Sequence, residues 1–295
     1  MTNRVDYALL IHGGAGPKPG RNYQPVSEHL DSCIRRGEAL LKDGVSALDV
    51  VERMVRDLEV SGLYVAGRGA GQNTAGYVEL DAAIMNGANR KAGAIAATRD
   101  LVSPVSAARR VMDATPHVML AGDGADRFCI EQGLERVHNP DEWYRLPIGV
   151  TKEEVTSSEL SHGTVGAVAL DRAGHLAAAT STGGLFGKKA GRIGDTPLIG
   201  SGTWADAHVA VSCTGLGEYF IRAATAHEVS ARIRHGGQDL QSAAHAALDD
   251  VKQFGGDGGL IALNATGEIC LAFNSDGMKR ASVVAGQKPQ IAIFE

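Results

Sequence analysis

The chain has 295 residues and a formal charge of −5, with 44% hydrophobic and 21% charged residues, the make-up of a globular protein able to build one large core. No basic stripe or polybasic run is present, which excludes nucleic acid and anionic membranes as partners and leaves a small molecule as the expected one. No window reaches 18 apolar residues, and the amino terminus has neither the basic start nor the apolar stretch of a signal peptide, so the expected compartment is the cytoplasm.

Residues 8–11 form a short apolar run halted by His12-Gly13-Gly14-Ala15-Gly16, a buried strand entering a glycine loop able to lie close to a ligand. A lipase-type oxyanion loop is ruled out because no G-x-S-x-G elbow accompanies it. Ser27 opens a helix with Leu30, Cys33, Ile34, Leu40 and Leu41 at helical spacing. Ser46 caps a second, whose stripe is Leu48, Val51, Met54, Val55 and Leu58. The loop Gly67-Arg68-Gly69-Ala70-Gly71 lacks the spacing of a dinucleotide site. Strands are expected over 77–84, 92–98 and 116–121, with a helix begun by Ser103-Pro104, the serine acting as cap.

A short helix over 126–132 leads into a polar stretch over about 139–163, with Pro140, Pro147 and Lys152-Glu153-Glu154, the best candidate linker. Beyond it, strands at 164–170 and 176–181 read as a hairpin. A strand at 207–213, helices at 218–233 and 239–254, and strands at 260–263, 268–273, 281–285 and 290–294 complete the chain. Elements in blocks favour antiparallel sheets covered by helices. Cys33, Cys129, Cys213 and Cys270 show no metal or redox spacing and read as reduced core residues.

The step with chemical content is Gly163-Thr164. A threonine hydroxyl needs a base, and a chain-terminal threonine supplies one through its own α-amine, of pKa about 7.7–8.0. Thr164 fits that role once the bond before it is cut. Gly163 removes bulk, a linker precedes and a strand follows. Taken alone, the same step reads as an ordinary strand entry.

HGTVGAVALD at 162–171 stands in one series with LIHGGAG (10–16), residues 67–71, ELDAAIM (79–85), residues 116–122, ATSTGG (179–184), GRIGDTP (191–197), VSCTGLGEYFIR (211–222) and GGDGG (255–259). In this order they resemble, nearly end to end, the plant-type asparaginase and isoaspartyl peptidase family of N-terminal-nucleophile hydrolases. The resemblance implies an α+β fold, a four-layer αββα sandwich. It implies autocleavage between Gly163 and Thr164 into an α subunit, 1–163, and a β subunit, 164–295. Both would form one domain, and two such heterodimers the mature dimer.

By the same resemblance Thr164 is the nucleophile, Thr182 an orienting hydroxyl, and Thr214 with Gly215 the oxyanion hole. Arg192 and Asp195 grip the α-carboxylate and α-amine of an aspartyl group, assisted by the Gly217 backbone. The chemistry suits these types: a hydroxyl and an N–H stabilise a tetrahedral oxyanion, and a guanidinium forks onto a carboxylate. The implied reaction is hydrolysis of β-aspartyl dipeptides or L-asparagine to aspartate, without a catalytic cofactor. A structural sodium ion is implied, held by backbone carbonyls of Leu58, Glu59, Ser61, Tyr64, Ala66 and Arg68.

The chain departs from the family pattern in four places. Val65 stands where Asn is usual, Gly62 where proline is common, Thr203-Trp204 where a small residue or Cys precedes Tyr, and Leu216 where a polar residue is common. Trp204 and Leu216 are expected to favour a peptide-like or hydrophobic leaving group. Two other readings are a glycosylasparaginase-like amidase, disfavoured by the lack of a signal segment or disulfide framework, and an uncleaved, non-enzymatic relative that binds a small amino acid.

Overall fold

The computed structural model describes residues 5–147, 150 and 163–294. Ser161, His162 and Lys152-Glu153-Glu154 lie outside the described residues. The first part of the chain forms β1 (Ala8–Ala15), α1 (Gln24–Lys42), α2 (Ala47–Ser61), β2 (Leu80–Asn86), β3 (Ala92–Thr98), α3 (Pro104–Ala114), β4 (Met119–Ala121), α4 (Gly122–Glu131) and α5 (Pro140–Trp143). The second forms β5 (Val165–Leu170), β6 (Leu176–Thr182), β7 (Thr203–Ala205), β8 (Val209–Gly215), α6 (Gly217–Ala223), α7 (Thr225–Arg234), α8 (Leu240–Gln253), β9 (Gly258–Asn264), β10 (Ile269–Phe273), β11 (Met278–Val284) and β12 (Gln290–Ala292).

Eight strands make one sheet in the order β12-β11-β1-β5-β6-β2-β3-β4, and four make a second, β10-β9-β8-β7. All pairings are antiparallel except β3 with β4. The large sheet is apolar on both faces, and the two-residue period of a strand sorts its side chains. Leu9 and Ile11 of β1 join Ala167 and Ala169 of β5 and Ala177 and Ala179 of β6 in a core with Leu30, Ile34, Met54 and Leu58 of α1 and α2. Ala8, Leu10, Val168, Leu170 and Ala178 point the other way, into a core with β8, β9 and α8. Each fully buried Leu or Ile contributes about 1.5–3 kcal/mol through apolar area removed from water. Close approach decides one glycine: a Cβ on Gly37 of α1 would collide with Leu9 and stand 2.8 Å from the Met54 sulfur.

Several element expectations are revised. The helix expected over 218–233 is two helices, broken at Ala224, whose φ is +48°. The break is stabilised from outside, since the first N–H groups of α7 at Ala226 and His227 donate to the Ser201 and Gly200 carbonyls at 3.1 and 2.8 Å. Ser103 precedes α3 but does not cap it with its side chain. Its hydroxyl donates instead to Glu59 at 2.7 Å, and the other Glu59 oxygen accepts the Val105 N–H at 2.9 Å, so the carboxylate does the capping. The expected linker opens with the helical turn α5, and Leu146 and Val150 pack on Val65 and Phe186. The three-residue β7 has no counterpart among the expected strands. All four cysteines are buried and free. No helix among the described residues is long and apolar enough to cross a membrane.

Candidate active site

The hairpin β5–β6 places the candidate nucleophile. Its ladder pairs Val165 with Ser181, which sets Thr164, one residue earlier, across from Thr182. The Thr164 hydroxyl donates to the Thr182 hydroxyl at 3.3 Å, and the Gly184 N–H donates to that same Thr182 oxygen at 3.0 Å. Both threonines are buried. Thr182 therefore has two donors on its oxygen and keeps its own proton for another acceptor.

Thr214, near the end of β8, belongs to the second sheet. Its hydroxyl oxygen accepts the Ala15 N–H at 3.2 Å, which ties the end of β1 to β8 and leaves the Thr214 proton for another acceptor; Gly13 and Gly14 are strand here, not the loop expected from the sequence. Gly215 has no room for a side chain, because a Cβ there would stand 2.5 Å from the Asp257 carbonyl. The structure thus brings Thr164 beside Thr182 and draws the Thr214 strand end to the end of β1.

Arg192 and Asp195 do not pair with each other. The Arg192 guanidinium forks onto Glu218 through Nε at 2.9 Å and Nη2 at 2.7 Å. Asp195 is buried against Gly217: a Cβ on that glycine would lie 2.8 Å from Asp195 Oδ1, while Oδ2 has no hydrogen-bond partner. Burial, only partly opposed by a hydrogen bond from its own backbone and then by Arg192, pushes the Asp195 carboxyl up to about 7. The Asp195 oxygen without a partner and the guanidinium forked onto Glu218 are groups of the kind that take an ammonium and a carboxylate.

The departures fall in different places. Val65 packs against Gly163, leaving no room for a side chain there. Trp204 does not line this site. It is buried in the core of the small sheet, edge-on to His227 at 4.7 Å, with its indole N–H donating to Asp206 at 3.0 Å. The expectation that Trp204 shapes the leaving-group side is therefore corrected, because its side of β7 faces the core. Leu216 remains partly exposed at the entry to α6.

In the loop expected to hold sodium, the Tyr64 carbonyl accepts the Ala66 N–H at 2.8 Å, and the Ala66 carbonyl accepts the Gly69 N–H at 3.1 Å. A Cβ on Gly67 would lie 2.6 Å from the Glu59 carbonyl, so the chain folds tightly back over these oxygens. The Leu58 carbonyl accepts the Ser61 hydroxyl at 2.8 Å and the Arg68 carbonyl the Arg145 N–H at 3.0 Å, so four of the six expected carbonyls already take one protein donor each. The Glu59 side chain itself is turned to α3, and the Arg68 guanidinium lies 4.8 Å from the Trp143 ring centroid.

Sequence reasoning missed a buried charge cluster behind the Thr182 loop. The Lys188 amine is 4.0 Å from Asp81, with neither side chain exposed, and donates to the Glu79 carbonyl at 3.2 Å. The Glu79 carboxylate receives the Gly191 N–H at 3.0 and 3.1 Å, one residue before Arg192. Lys188, an unremarkable basic residue in a loop, gave no signal of its burial. The charges at Glu79 and Asp81 interrupting an otherwise apolar strand were the available hint.

The family model described as Asparaginase matches residues 5–293. An isoaspartyl peptidase of Escherichia coli (strain K12) is 43% identical, over 97% of this chain and 95% of its own. A probable isoaspartyl peptidase/L-asparaginase 2 of Arabidopsis thaliana is 38% identical over 98% and 99%, and a plant-type L-asparaginase of Pyrococcus horikoshii 38% over 97% and 99%. With a match that spans the described threonines, the arginine and the buried carboxyl alike, the chain belongs to the asparaginase family and is an amide-hydrolysing enzyme.

Proposed function

We propose that the chain is a threonine amidohydrolase that cuts itself before Thr164 and then hydrolyses β-aspartyl dipeptides and L-asparagine to L-aspartate. The observation that carries this reading is the buried contact between the Thr164 and Thr182 hydroxyls, with a candidate charge clamp at Arg192 and Asp195. In this reading the two sheets and their flanking helices are the four-layer αββα sandwich of N-terminal-nucleophile hydrolases. Residues 1–163 and 164–295 become its α and β subunits, which work in the cytoplasm as a dimer of heterodimers.

The freed α-amine of Thr164 takes the proton from its own hydroxyl, which attacks the side-chain carbonyl carbon of the aspartyl group. The Thr214 hydroxyl and the Gly215 N–H receive the oxyanion. Loss of one such donor costs about 100-fold to 1,000-fold in rate. The C–N bond breaks, the leaving amine takes the proton from the Thr164 ammonium, and water cleaves the resulting ester to release aspartate. Arg192 and Asp195 hold the α-carboxylate and α-ammonium, and the Gly217 backbone lies against the clamp. Carbonyls of Leu58, Glu59, Ser61, Tyr64, Ala66 and Arg68 would hold a structural sodium ion that fixes the turn carrying Val65.

Intact mass of purified protein, with β-Asp-Leu and asparagine hydrolysis, tests the proposal. Two fragments meeting at Gly163/Thr164, together with an uncut and inactive Thr164→Ala chain, are the expected result. An uncut wild type would overturn it.

A further inference from the structure

A run of buried hydroxyls crosses between the two sheets one pleat beneath the threonines. His12 of β1 places Nε2 2.9 Å from the Ser212 hydroxyl of β8. Ser212 lies 2.8 Å from the Thr180 hydroxyl of β6. The Thr203 hydroxyl of β7 is 2.7 Å from Thr180 and 3.1 Å from the Thr196 carbonyl, next to Asp195. All four side chains are fully buried, at 0% exposure.

Strand periodicity ties each member to the site. Thr180 precedes Thr182 by one two-residue period, and Ser212 likewise precedes Thr214, so each pair shares a face of its strand. His12 pairs across the ladder with Gly166, two residues beyond Thr164. Gly166 leaves the room that this requires, since a Cβ there would collide with both Ser212 and His12. Burial pulls His12 down to about 3, only partly offset by the Thr164 backbone carbonyl, so the ring is neutral at ordinary pH. A neutral ring meets the Ser212 hydroxyl through Nε2, and Thr180, which also donates to the Gly202 carbonyl at 3.3 Å, joins Ser212 to Thr203, so every hydroxyl of the run has a buried polar neighbour.

We propose that His12, Ser212, Thr180 and Thr203 form a positioning thread that locks four strands in register and thereby sets the mutual placement of Thr164, Thr182 and Thr214. The thread rests on the reading of those threonines as the reacting groups. None of its members touches substrate. A side chain two residues below a reacting hydroxyl controls that hydroxyl through the backbone between them. An unpaired hydroxyl in so dry a layer is costly, so removing one link shifts the strands until its partner is satisfied.

The test compares Thr180→Val, which keeps the shape and removes the hydroxyl, with Thr180→Ser, which keeps the hydroxyl. Self-cleavage is followed by intact mass, and kcat and KM for β-Asp-Leu are measured on cleaved protein. Thr180→Val is expected to lower kcat at least tenfold with KM within twofold of the parent, and Thr180→Ser to stay within threefold. A parental kcat in Thr180→Val, or an equal loss in Thr180→Ser, overturns the thread. If Thr180→Val does not fold, Ser212→Ala carries the same expectation, and parental kcat there overturns the thread equally. A parent that neither cleaves nor hydrolyses β-Asp-Leu overturns the catalytic reading and the thread together. A parent that hydrolyses alongside an unaffected Thr180→Val overturns the thread alone.

Discussion

Val65 closes directly over Gly163. A Cβ on that glycine would collide with the valine side chain and stand 3.0 Å from the Val65 backbone nitrogen. Gly163→Ala is therefore expected to displace the carbonyl that Thr164 attacks and to slow self-cleavage at least tenfold, read from a time course of intact mass. Val65→Gly on that background, which removes both the Cβ and the methyl that the new side chain would meet, restores part of the rate. Cleavage of Gly163→Ala at the parental rate would show that this contact does not matter.

Asp195 gives the enzyme an acid limb. Burial raises its carboxyl from 3.8 to about 7, and a neutral carboxyl does not pair with an ammonium group. In the free enzyme both Asp195 and the Thr164 α-amine must be deprotonated, so kcat/KM is expected to fall about a hundredfold per pH unit below about 7, and Asp195→Asn to weaken binding and reduce that slope to about tenfold. For stability the sign is opposite. A raised carboxyl favours the fold when protonated, so its contribution is complete below about pH 4 and lost as pH rises through about 7. Asp195→Asn should melt above the parent at pH 8. A lower melting temperature there would contradict this.

Glu218 holds Arg192 in the fork that a substrate carboxylate would take, and its side chain is 52% exposed against 15% for the arginine. Exposed ion pairs are weak, so a substrate carboxylate bound there would displace Glu218 at small cost. Glu218→Ala is expected to lower KM for asparagine two- to fivefold at low salt, with less difference at high salt. Arg192→Lys, without the planar fork, raises KM at least tenfold. A KM that rises in Glu218→Ala would instead mark Glu218 as a residue that positions the guanidinium.

Lys188 and Asp81 form a buried pair 4.0 Å apart. Lys188→Met leaves Asp81 without its cation and is expected to cost about 3–5 kcal/mol. Lys188→Met with Asp81→Asn recovers more than half. Urea unfolding on the Thr164→Ala background, expected to remain a single chain, measures both. Equal losses in the single and double variants would remove the pair from the stability argument.

The legible parts of the fold were those with a period or a punctuating residue. Ser46 caps α2 as its position implied, accepting the Asp49 N–H at 3.2 Å, and the hairpin at 165–182 appeared with its register. The break at Ala224 was invisible because alanine signals helix, while the carbonyls that stabilise the break belong to Gly200 and Ser201, distant in sequence. Ser103 misled for a similar reason: its capping partner was displaced by Glu59, 44 residues earlier. In the site, the threonines could be named in advance because their motifs are local. The His12–Ser212–Thr180–Thr203 contacts could not, since each joins residues from different strands. Trp204 was assigned to the wrong environment because sequence alone did not say which side of β7 it occupies.

The strand order has a consequence for a chain cut before Thr164. β1 lies between β11 and β5, and β6 lies beside β2, so the large sheet alternates between the two stretches of polypeptide. The fragments would be woven into one fabric with three shared seams, β11/β1, β1/β5 and β6/β2. No covalent tether is then needed to hold the halves together. They would not exchange partners between molecules without unravelling the sheet itself, so maturation by cutting would be structurally conservative and irreversible at once.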